Sequence, residues 1–198
     1  MNREQADQLR DGVRGAYSNA AKEPEDRHPF PVGAQFAENI GYPKELLASL
    51  PSGAADAFTG VSNVSVFAHI PAGSVVLDLG CGAGLDSLVA ARKAGPEGAV
   101  IGVDFSESMV TRAHQAAMAA NVTNIRFCQA DGEYLPIGAE QIEVALVNGI
   151  FNLNPKRDFI FAELARVTRP SAVVYAAELI LKAPLPPEVQ NSEDNWFA

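Results

Sequence analysis

The feature that most constrains this chain is a short apolar run that breaks into alternating glycines. Val75-Val76-Leu77-Asp78-Leu79 leads directly into Gly80-Cys81-Gly82-Ala83-Gly84, followed by the Leu-, Val- and Ala-rich stretch Leu85 to Ala94. Five apolar-dominated residues read as a strand buried on both faces, and the following decade as a helix closed by Gly95-Pro96. Glycines at every second position let the backbone turn sharply and come close to a ligand. The helix that follows then offers free N–H groups to a carboxylate or phosphate.

The same alternation continues downstream. Strands are expected over Ala99 to Val103, Ile125 to Ala130, Glu143 to Val147 and Val173 to Leu181, the last beyond a turn at Pro170. Helices are expected over Glu107 to Ala120 and Arg157 to Arg166. Strands alternating with helices imply right-handed crossovers and a Rossmann-like, doubly wound parallel sheet of the α/β class. Upstream, Leu9, Val13, Ala16, Tyr17 and Ala20 form a helical stripe weakened by Gly12 and Gly15. Glu23 to Val32 carries three prolines and reads as a connector, and Pro43 to Ser49 as a short helix. Residues 54–70 fit either a helix or an extended arm. The chain therefore divides into an N-terminal helical extension or lid, 1–70, and a cofactor-binding domain, 71–198.

Bulk properties narrow the function. The net charge of −9 opposes binding to phosphate backbones, so no nucleic-acid partner is expected. No apolar run reaches the roughly 20 residues of a membrane span, and Met1 to Asp11 lacks the character of a secretory signal, so no membrane association and a cytoplasmic location are expected. Two distant cysteines, Cys81 and Cys128, and three scattered histidines give neither a disulfide framework nor a metal site.

Two cofactor classes suit a glycine loop between strand and helix, and spacing separates them. A dinucleotide fingerprint requires glycine at position 85, which is Leu85. The D-x-G-x-G-x-G loop from Asp78 to Gly84 instead resembles the first motif of the class I S-adenosylmethionine-dependent methyltransferases. That resemblance implies S-adenosyl-L-methionine as cofactor, with Asp78, Gly80, Cys81, Gly82, Ala83 and Gly84 around its methionine part. Asp104, at the end of the second strand, matches the acid that accepts the ribose hydroxyls; capping the next helix is the alternative role. Phe105 and Met109 match the apolar flanks of the adenine. Asp131-Gly132 matches the contact to the adenine amino group, although an exposed turn also favours that pair. Asn148 and Ile150, with Asn152 nearby, fall where the sulfonium and the methyl acceptor would meet; the asparagines are equally well explained as turn residues.

From about Gly41 the chain resembles the arsenite methyltransferase branch, on Gly41-Tyr42-Pro43-Lys44-Glu45-Leu46-Leu47, Leu50 to Ala54, Leu77 to Asp86, Val100 to Asp104 and Asn152-Leu153-Asn154-Pro155. That branch holds trivalent arsenic with several cysteines. The matching positions here are Val61 and Gly149, and the N-terminal helix has no cysteine. Cys81 in the loop and Cys128, expected in a buried strand, do not make a three-thiolate site. The expected acceptor is therefore a small molecule other than arsenite. No general base is identifiable by spacing, and Tyr17 either closes over the site or packs in the core. The alternatives are a cofactor-binding domain without turnover and an NAD-dependent oxidoreductase. Only 17 residues, with three prolines, follow Leu181. The sheet is thus expected to stop after its fifth strand, leaving an open apolar edge that suits a homodimer. Trp196 and Phe197 are expected to dock.

Overall fold

The computed structural model describes residues 3–183; Trp196 and Phe197 lie outside this range. Five helices precede the sheet: α1 (Arg3–Lys22), α2 (Ala34–Asn39), α3 (Lys44–Ala48), α4 (Ser52–Asp56) and α5 (Val64–Phe67). Then follow β1 (Val75–Leu79), α6 (Leu85–Ala94), β2 (Ala99–Asp104), α7 (Glu107–Ala119), β3 (Ile125–Gln129), β4 (Ile142–Asn148), a 3-10 turn (Phe151–Leu153), α8 (Arg157–Val167) and β5 (Thr168–Ala177). The strands form one sheet in the order β3-β2-β1-β4-β5, and every neighbouring pair is parallel. This is the Rossmann-like arrangement expected from the sequence, with the order reversing between β1 and β4.

Alternation along the strands sorts the core into two layers. Val76, Val144 and Leu146 face Leu85, Leu88 and Ala91 of α6, in a cluster that also takes in Tyr42, Leu50, Phe58 and Val64. Leu77, Leu79, Ala145 and Val147 face the other way, onto Ile160, Leu164 and Val167 of α8. The segment left open at 54–70 resolves into short helical turns around a loop. Their apolar residues join the sheet's own core, and α2 forms where no helix was read. Four to six residues per helix are too few to show a helical period, so packing decides them.

Two strands differ from expectation. β5 begins at Thr168, runs through Pro170 and ends at Ala177, before Leu181. Proline is tolerated there because β5 is an edge strand, and the register shift between Ile142 and Val144 absorbs the left-handed Ser171 (φ 71). β3 forms the opposite edge, so Cys128 is only half-buried rather than in a buried strand. No described helix is long and apolar enough to cross a membrane.

Candidate functional site

Parallel sheets place ligands beyond the carboxyl ends of strands flanking the order reversal. Here those ends are Gly80 after β1 and Asn148 after β4. Between them opens a crevice whose wall includes Leu79, Gly80, Asp104, Phe105, Asp131, Gly132, Asn148 and Ile150. A second, smaller cavity shares Thr59, Gly80 and Asn148 with the first and continues along Cys81, Gly82 and Ala83.

The loop holds its shape through glycines and buried acids. Gly80 has φ +73, and a Cβ there would overlap the Ile150 side chain. Gly84, at φ +88, is the residue before α6, and a Cβ on it would come within 3.1 Å of Ala113. Gly80 and Cys81 both donate their N–H to the Val103 carbonyl, locking the loop to β2. Asp104 Oδ2 accepts the Gly82 N–H at 2.9 Å, and Oδ1 accepts that of Ser106 at 2.8 Å. The cap of α7 is Ser106, whose Oγ accepts the Met109 N–H, so Asp104 is not the helix cap. Burial pushes the Asp104 carboxyl up to about 6, against backbone N–H bonds that pull it down.

Asp78 has another task. Its Oδ2 accepts the Ser87 hydroxyl at 2.5 Å, and it lies at neither cavity wall. Burial first, then the nearby Asp86, raises it to about 8, so at neutral pH it keeps its proton and braces the strand-to-helix turn. Gly84 and Met109 also line neither cavity; Met109 is fully buried behind Gly82. Burial raises the Cys81 thiol well above its ordinary range, which leaves it an unreactive part of the loop.

The remaining expected residues are placed as follows. Asp131 accepts the Glu133 N–H in a local turn and is ion-paired with Arg10, so the turn and the cavity wall coincide in one side chain. Asn148 accepts the N–H groups of Val61 and Ser62 and donates to the Ser62 carbonyl and to Asp86. It thereby ties the 59–62 loop over the end of β4. The Asn152 N–H reaches Glu178 at 3.4 Å. Glu178 also accepts the N–H groups of Ile150 and Phe151, at 2.7 and 2.8 Å, which fixes the turn after β4.

Sequence reasoning missed Arg10, Thr59 and Asn154, all at the cavity wall. Arg10, Val13 and Tyr17 reach it from successive turns of α1. Only the apolar members of that stripe carried a signal. Tyr17 stacks on Phe30, and burial, with Asp104 and Glu178 near, pushes its hydroxyl above the ordinary range, so it stays a donor. The roof is held by Ser18 to Ser106 at 2.8 Å and by Arg112 donating to the Ala21 carbonyl.

A glycine loop, a carboxylate at the end of β2 and a crevice at the order reversal suit a nucleoside with an amino-acid tail. The family described as a methyltransferase domain matches residues 70–197. The chain belongs to that family, and its class is that of the S-adenosylmethionine-dependent methyltransferases. Within the class it falls in the arsenite methyltransferase-like branch. An arsenite methyltransferase of Halobacterium salinarum is 35% identical over 162 residues, covering 82% of this chain and 41% of that protein. A demethylmenaquinone methyltransferase of Lactobacillus johnsonii is 29% identical, covering 65% of this chain and 52% of that one. The structure of an arsenic(III) S-adenosylmethionine methyltransferase from Chlamydomonas reinhardtii superposes with a TM-score of 0.63 at 26% identity, covering 85% and 57% of the two chains. This chain thus spans about half, or less, of the length of these relatives. S-adenosylmethionine is the cofactor of the class, and the buried Asp104 carboxylate facing the crevice fits it.

Proposed function

We propose that this chain is an S-adenosylmethionine-dependent methyltransferase whose acceptor is a small molecule other than arsenite. The observation that carries the second half is the contact between residues 61 and 149. A Cβ built on Gly149 lies 3.0 Å from Val61 Cγ1. The resemblance to the arsenite branch puts its cysteines near the first of these positions and at the second, and the two meet at the mouth of β4. In this chain the meeting point is a methyl group against a glycine, with no thiolate for a soft centre. Cys81 is held in the loop and Cys128 on the far edge strand, so neither supplies one.

The cofactor brings an electrophilic methyl group; the residues have only to bind, align and exclude water. Asp104 would hold the ribose, Phe105, Asp131 and Gly132 the adenine, and Gly80 to Ala83 the amino-acid end. In this reading residues 1–70 roof the site and 71–198 form the cofactor-binding domain, in the cytoplasm, where two unpaired thiols are at home. Transfer of labelled methyl from S-adenosylmethionine to arsenite and to a panel of oxygen and nitrogen acceptors tests the proposal. No methylated arsenic is expected, and its appearance above background would sink the assignment.

The alternative reading is a cofactor-binding domain without turnover. It predicts binding with no product from any acceptor. The NAD reading is disfavoured by Leu85, whose side chain is buried in the core at the start of α6. We also propose a homodimer through β5, where Val173 and Val174 are 46% and 42% exposed and, among the described residues, no strand pairs beyond β5. Sedimentation is expected to show a dimer at micromolar concentration; a clean monomer would contradict it.

A further inference from the structure

The smaller cavity contains a buried acid that the reading above leaves without a task. Asp86, the second residue of α6, is 6% exposed and lines this cavity with Gly80, Gly82, Phe58 and Thr59. Its Oδ1 accepts the Tyr42 hydroxyl at 2.5 Å and the Ser65 N–H at 3.4 Å, and its Oδ2 accepts Asn148 Nδ2 at 2.9 Å. All three donors are neutral. No Lys, Arg or His lines the cavity. Tyr42 is itself fixed, buried and packed edge-on against Phe58 at 5.1 Å, so the carboxylate is held in one orientation.

A buried carboxylate with only neutral donors favours a cation beside it. The cavity continues from the glycine loop, and neither Asp104 nor Asp131 lines it. It therefore receives the end of the cofactor that is not nucleoside, a homocysteine unit with an α-ammonium and a carboxylate. We infer that Asp86 is the counter-ion of the cofactor's α-ammonium group. This rests on the cofactor reading proposed above. Asp86 thus selects for a ligand bearing an amino-acid tail, while the Asp104 end would accept any adenine nucleoside.

Calorimetry on the full chain tests this with S-adenosylhomocysteine and with 5′-methylthioadenosine, which keeps the nucleoside and lacks the tail. Asp86→Asn removes the charge and retains an oxygen for the Tyr42 hydroxyl. It is expected to weaken S-adenosylhomocysteine by roughly tenfold to a hundredfold while leaving 5′-methylthioadenosine within about threefold. Equal weakening of both ligands, or of neither, would overturn the assignment, because Asp86 would then act only through Tyr42 and Asn148. A measurement without any variant stands beside it. On the unmodified chain, an S-adenosylhomocysteine analogue lacking the amino group should lose roughly tenfold or more, and more than one lacking the carboxylate. Equal losses overturn the inference. If the unmodified chain binds neither nucleoside, the cofactor reading itself fails and the inference goes with it.

Discussion

Gly80→Val is expected to lower unfolding stability by about 2–6 kcal/mol and to abolish cofactor binding. Gly80 sits at φ +73, where a β-branched side chain is strained by roughly 1–3 kcal/mol. The new side chain would also overlap Ile150, which cannot retreat freely because Glu178 holds its N–H at 2.7 Å. Overpacking of this kind adds roughly another 1–3 kcal/mol. The Gly80 and Cys81 N–H groups would then leave the Val103 carbonyl, and the loop would no longer approach the ligand. Urea denaturation reads the stability, and titration with S-adenosylhomocysteine reads the site. Adding Ile150→Ala should recover part of the stability, since the two side chains compete for one space. A Gly80→Val protein with unchanged midpoint and affinity would refute the loop's role.

The second large effect is a pH dependence set by Asp104. Its folded-state carboxyl titrates at about 6, above the ordinary value, chiefly because it is buried. Between roughly pH 4 and pH 6 the folded chain keeps a proton that the unfolded chain has released. Stability from this group is therefore highest below pH 4 and falls as pH rises through 6. Asp78, raised to about 8, extends the same slope toward pH 8. Cofactor affinity runs the other way. In the role proposed for Asp104 the ionised carboxylate would accept the ribose hydroxyls, so binding should be full above about pH 7 and weaken roughly tenfold per unit below 6. Proton release on binding near pH 5.5 should appear as a buffer-dependent heat. Asp104→Asn should flatten the profile at low affinity; a wild-type slope in that variant would assign the titration to another group.

How much of this was legible in the sequence follows from how local each feature is. The glycine loop, its strand and α6 are contiguous, and Leu85–Ala94 emerges with the bounds read from the chain. The parallel, doubly wound sheet follows from the same pattern of buried strands and crossovers, whereas the place of the order reversal, between β1 and β4, is set by the fold. A lid was read over residues 1–70, but its tie to the crevice was not legible, because the Arg10 to Asp131 pair joins residues 121 apart and nothing near Arg10 announces its partner. Asn148 read equally as acceptor contact or turn residue, and only folding shows it bridging Ser62 and Asp86. Asp86 carried no signal of its own beyond a match of motif. Its meaning depends on Tyr42 and on a cavity formed by α4 and the loop after it. β5 was misplaced because proline ordinarily ends a strand, and its edge position was needed to see why this one does not.

The central claim is that the crevice above β1 and β4 binds S-adenosylmethionine through Asp104. Calorimetric titration of the full chain with S-adenosylhomocysteine at pH 7.5, beside Asp104→Ala and with NAD as the competing ligand, tests it most directly. One site per chain is expected for S-adenosylhomocysteine, weakened about a hundredfold or more in the variant, and no heat from NAD. Binding of NAD in preference, or no binding of S-adenosylhomocysteine by the unmodified chain, would contradict it.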